Sequence, residues 1–115
     1  MEPQTAVCEV VITAPDMDWL ADFSRALVTD RLCATAHSFS QLRTVYWWQD
    51  ELRDAIEAQV TLHTQVRHVR DIVERVNQEH PYLVPAVITR PIAGGNSAYL
   101  QWIVDETGQG GESGR

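Results

Sequence analysis

The spacing of apolar and polar positions changes period several times along this chain. Residues 6–14, AVCEVVITA, are rich in β-branched side chains and too few for a helix, so they predict a strand buried on both faces. Pro15 breaks it, and Asp16 is placed to cap the next element. Over 17–31, Trp19, Leu20, Phe23 and Leu27 fall on one helical stripe, with Asp18, Asp22, Arg25 and Thr29 away from it. The run CATAHSFSQLRTVYWW, 33–48, has no helical period and many Thr, Ser and aromatic residues. It predicts a long strand with an irregularity near 39–41. Gln49, Asp50 and Glu51 form a polar turn. Over 52–64 the alternation is clean: Ile56, Ala58, Val60 and Leu62 point one way, Glu57, Gln59, Thr61 and His63 the other. This pair reads as a long hairpin with one polar face.

Helical spacing returns over 65–79 with Val66, Val69, Ile72, Val73 and Val76, and His80-Pro81 ends the helix. Residues 84–92 predict a strand whose two prolines mark an edge or irregular ends. A turn at 93–96 follows, and Ser97 is placed to cap a short last helix carrying Tyr99, Leu100, Trp102, Ile103 and Val104. Residues 107–115 hold four glycines and no apolar residue and read as a flexible tail. The order β-α-β-β-α-β, with a short C-terminal helix, is the ferredoxin-like split βαβ arrangement, an α+β fold with an antiparallel sheet and two helices on one face. The first strand then lies between the third and fourth, and the second pairs with the third. One domain, 6–106, is expected. A single helix layer leaves the other sheet face needing a partner or a polar surface.

Charge narrows the function classes. The 115 residues carry 9 basic and 16 acidic side chains, net -7, and every basic one is arginine. That balance disfavours nucleic acid and anionic membrane as partners, because both need a net basic face. No apolar run approaches the roughly 20 residues that span a bilayer. The first six residues show no basic residue and no apolar run, so no signal peptide is read there, and a cytoplasmic location is expected. Cys8 and Cys33 fall on strands that another strand separates, so free thiols are expected and not a disulfide. If the hairpin turns about 49–51, opposed positions sum to about 100 and His37 faces His63, where two imidazoles can clamp a soft divalent ion. His68, between charged residues, reads as solvated. No nucleophile–base pair or carboxylate pair is forced together by the topology, so an enzyme is not expected.

Several segments carry a resemblance: VVITAPD (10–16), RALVTDRL (25–32), TVYWWQDEL (44–52), HPYLVP (80–85), RPIAGGNSAYLQWI (90–103) and the long helix between Thr64 and His80. In order and spacing they resemble the CutA divalent-cation tolerance family, from about Val7 to Val104. The resemblance implies a tight homotrimer with the architecture of the PII signalling proteins, its hairpins reaching across to neighbours. It implies copper or another divalent cation as ligand, not required for folding, and self as the partner. The implied metal positions are a cysteine before the TAPD-like segment and a histidine pair before the PY. Here they are Ile12 and Glu79-His80, so His80 with Glu79 remains. A further family cysteine is Thr35, with Cys33 two positions earlier; the family's asparagine is His37 and its lysine is His63. Two alternatives accompany this reading. One is a PII-like regulatory trimer binding a small ligand in subunit clefts lined by Tyr46, Trp48, Tyr82 and Trp102. The other is a stable trimeric scaffold without a metal role.

Overall fold

The structure, a computed structural model, describes residues 6–108. Strand β1 (Val7–Ala14) is followed by helix α1 (Met17–Thr29), strands β2 (Thr35–Trp48) and β3 (Glu51–Gln65), helix α2 (Val69–Glu79), strand β4 (Val87–Pro91) and helix α3 (Ser97–Thr107). The four strands form one sheet in the order β2-β3-β1-β4, with every neighbouring pair antiparallel. This is the expected ferredoxin-like topology.

Each helix has a physical start and stop. The Asp16 carboxylate accepts the Trp19 N–H at 3.2 Å and caps α1. Leu20, Phe23, Ser24 and Leu27 are its buried stripe. A single turn of 3₁₀ helix, Val66–His68, precedes α2, so the predicted helix splits in two. His80 is extended, with ψ 141°, as the residue before Pro81 must be. For α3 the cap is Asn96, not Ser97: its Oδ1 accepts the N–H groups of Ala98 and Tyr99.

The core lies between one sheet face and helices α1 and α2. Cys8, Val10, Ile12 and Ala14 of β1 and Ala58, Val60 and Leu62 of β3 meet Leu20, Phe23, Leu27, Ile72 and Val76. Helix α3 takes part of the opposite face, at the end where β1 begins and β3 ends. Thr107 is buried there, and its hydroxyl accepts from Gln65 Nε2 at 2.7 Å. Thr107 and Gly108 therefore belong to the fold and not to the predicted tail, whose remaining residues, 109–115, lie outside the described residues.

Beyond the Ala14–Ala58 pair, β2 and β3 continue as a free two-stranded ribbon, which gives the molecule its 47 Å long axis. Gln49 and Asp50 close it, both with positive φ, as a two-residue hairpin loop of matching twist requires. Glu51, Arg53 and Glu57 lie on the expected polar face of the ribbon, and the Ile56 face is the apolar one. Val45, Trp47, Leu52 and Ile56 share a face and are 59%, 72%, 63% and 55% exposed.

Candidate functional site

His37 and His63 come together, but not in the expected register. The loop has two residues, so Trp48 pairs with Glu51, and one extra residue at Gln41 shifts β2 again. His37 thus faces Thr61, and His63 faces Thr35. Each departure moves the register by one, so together they preserve the face. The two rings are diagonal neighbours with centroids 5.0 Å apart.

His63 sits in a row that crosses the whole sheet: Thr35, His63, Glu9, Arg90. Its Nε2 is 2.9 Å from Glu9 Oε2 and its Nδ1 is 2.6 Å from the Tyr99 hydroxyl. With Glu9 ionised, Nε2–H donates to the carboxylate and Nδ1 accepts the Tyr99 O–H. Arg90 approaches the other Glu9 oxygen at 3.5 Å. The His63 hydrogen bond foremost, with help from its charge and that of Arg90, holds the Glu9 carboxyl below its ordinary value. Trp102 stacks on Tyr99. Glu9, Tyr99 and Arg90 were not singled out by the sequence reading. The one available signal was a lone Glu inside the apolar run AVCEVVITA.

His80 has a different setting. It is buried beside Trp19, its Nε2–H donates to the Thr13 carbonyl at 2.7 Å, and its Nδ1 accepts the Tyr82 N–H at 3.0 Å. Both nitrogens are used. Glu79 pairs with Arg75 at 3.0 Å.

Of the four expected cleft residues, Tyr82 bonds a buried carboxylate and Tyr46 lies close enough to Tyr82 to act on its phenol. Glu57 accepts from Thr44 Oγ1 at 2.7 Å and from the Tyr82 hydroxyl at 2.8 Å. Burial foremost, and then the Glu57 bond and charge, raise the Tyr82 phenol to about 12. Trp48 is on the same face of the ribbon, nearer its tip. Trp102 stacks on Tyr99, which meets His63, about 20 Å further along β3 from Glu57. Within one chain these four side chains do not line one cleft.

His68, expected to be solvated, is buried, with Nε2 3.0 Å from the Thr107 carbonyl. Cys8 and Cys33 are free and buried. Burial pushes their thiols to about 11 and about 12, so both are inert at neutral pH.

The sequence profile of the CutA1 divalent ion tolerance protein family matches residues 8–106. The chain belongs to the CutA1 family. It is 35% identical to the divalent-cation tolerance protein CutA of Thermus thermophilus, over 86% of this chain and 96% of that one. The Thermus thermophilus CutA1 structure superposes with a TM-score of 0.85 at 34% identity, covering 89% of this chain and 99% of that one. A CutA structure from Archaeoglobus fulgidus, described as periplasmic, is 22% identical with a TM-score of 0.85 over 89% of this chain and 99% of that one, and shares the fold.

The metal positions implied by the CutA resemblance do not fit an ion in this chain. Ile12, at the cysteine position, is a fully buried core residue with no donor atom. Both His80 nitrogens are tied to main-chain groups, the Thr13 carbonyl and the Tyr82 N–H, which cannot swing aside as a side-chain hydroxyl can, and Glu79 is committed to Arg75. His80 is a folding residue: it ties the end of α2 to β1 and orders the start of the HPYLVP segment. Among the described residues, no three His, Cys, Asp or Glu side chains gather as a metal group. No helix there is long and apolar enough to cross a membrane.

Proposed function

We propose that this CutA-family divalent-cation tolerance protein acts by binding and not by catalysis, as a cytoplasmic homotrimer with copper among the ions it answers to. The observation that carries the reading is the apolar ribbon face. Val45, Trp47, Leu52 and Ile56 are exposed on one face of a projecting hairpin, around the Arg43–Asp54 ion pair, and Phe39, Leu83, Val84 and Ile88 are also exposed. Soluble chains seldom leave such patches uncovered, and a second copy offers a matching one. The net charge of -7 favours cations over nucleic acid or anionic membrane as partners, while self-association must come from apolar burial.

A second reading has one observation of its own. Among the described residues, the buried Glu57 carboxylate accepts from two neutral hydroxyls only, those of Thr44 and Tyr82, with Tyr46 near Tyr82. A small ligand with a cationic group, bound where subunits meet, would satisfy it, as in a PII-like regulatory trimer.

Light scattering and complementation test the main reading together. Three chains of 13.0 kDa give 39 kDa, the mass expected at micromolar concentration. Expressed in a strain lacking its own CutA-family gene, the chain is expected to restore growth in raised copper. A 13.0 kDa species, or no restoration, overturns it.

A further inference from the structure

His63 is held from behind. Its Nε2–H donates to Glu9, which fixes the tautomer and leaves the lone pair on Nδ1. A carboxylate placed this way orients an imidazole and raises the basicity of its other nitrogen, the support that metal-ligating histidines use. The present neighbour of Nδ1 is a phenol oxygen, Tyr99 Oη, at 2.6 Å. His37 stands beside it, exposed, and neither of its nitrogens has a protein partner among the described residues. Two imidazoles bound cis to one ion at about 2.0–2.1 Å place their ring centroids about 4.5–5 Å apart, over bond angles from the ~90° of tetragonal Cu²⁺ to the ~109° of tetrahedral Zn²⁺. The observed separation is 5.0 Å.

We propose that His37 Nδ1 or Nε2 and His63 Nδ1 form a two-histidine site for a borderline-soft divalent ion, Cu²⁺ foremost, with Glu9 as the positioning residue and Tyr99 as an oxygen at its rim. This rests on the cation-binding reading above and names its site. Binding displaces the Tyr99 O–H from Nδ1, and water completes the coordination. Imidazole donors favour Cu²⁺ over Zn²⁺ and Ni²⁺ in the usual affinity order. The site is distinct from the His80 position. Hydroxyl, imidazole and carboxylate in line are also the order of an activated nucleophile. The second imidazole beside the first favours holding a cation.

The test is Cu²⁺ titrated into the full apo chain, read by calorimetry and by the nitrogen hyperfine pattern in electron paramagnetic resonance. One ion per chain with two imidazole nitrogens is expected. His37→Ala touches no hydrogen bond of the fold; it is expected to weaken binding at least about tenfold and remove one nitrogen. Glu9→Gln is expected to weaken binding by about tenfold with both nitrogens retained. Undiminished binding in His37→Ala overturns this site and leaves the cation-binding reading standing with its ion elsewhere. No binding of Cu²⁺ to the unaltered chain at millimolar concentration overturns both.

Discussion

At the scale of single residues, two buried histidines act as fasteners between elements. His80 joins α2 to β1, and His68 joins the turn before α2 to the end of α3 through the Thr107 carbonyl. Burial foremost lowers the His68 imidazole below its ordinary value, against the Thr107 bond, with Arg67 lowering it and Asp71 raising it. A histidine lowered on folding stabilises the fold fully above its unfolded value. That contribution is lost as pH falls through the folded value, because the unfolded chain takes up the proton first. Stability in urea, at fixed protein concentration, is therefore expected to fall between pH 7.5 and 5.5. His68→Gln is expected to flatten that slope, by at most about 1.4 kcal/mol per pH unit. An unchanged slope in the variant assigns the pH dependence to other groups.

At the scale of elements, the β2–β3 ribbon owes its aim to one residue. Gln41 is the extra residue between the Ser40–Ala58 and Leu42–Glu57 pairs, and such a bulge bends and twists its strand. Deleting Gln41 leaves every other pair in register and His37 on the face of His63. The deletion is expected to keep the melting behaviour of the domain and its Cu²⁺ affinity, while the light-scattering mass falls because the ribbon no longer meets its neighbour. A mass unchanged at 39 kDa, three chains of 13.0 kDa, would show that the bend does not direct assembly. The same residue marks how far the sequence could be read. Periodicity and turn residues placed every element and the strand order, because Leu20, Phe23 and Leu27 or Val60 and Leu62 carry their burial in their spacing. An irregularity near 39–41 was legible from the polar composition there; its consequence for register was not, since loop length and bulge each shift it by one. His68 and Thr107 were misplaced for another reason. Their local composition is polar, and what buries them is contact between chain segments far apart in sequence.

At the scale of the whole molecule, the proposed trimer would have to hold three acidic chains together against their own repulsion. Three chains of net -7 carry -21. Apolar burial is the force available to offset that, and Trp47 is its largest single contributor on the ribbon. Its side chain is 72% exposed in the isolated chain. Burying an aromatic side chain of this size at ~25 cal/mol per Å² is worth about 3–4 kcal/mol in each protomer. The pair opposite Trp47 is Leu52, so the two form one apolar tip on the face of Val45 and Ile56. Trp47→Asp replaces that gain with a desolvated like charge, while the core of Ile12, Leu20, Leu62 and Ile72 lies away from the tip and is untouched. The variant is expected to run as a folded 13.0 kDa species by light scattering, with unchanged far-ultraviolet dichroism, and to fail in copper complementation. Raised salt should partly restore assembly of a milder Trp47→Ala variant, since it screens repulsion between chains and strengthens apolar burial. Retention of the 39 kDa mass of three 13.0 kDa chains by Trp47→Asp would move the interface off the ribbon and onto the exposed Leu83 and Val84.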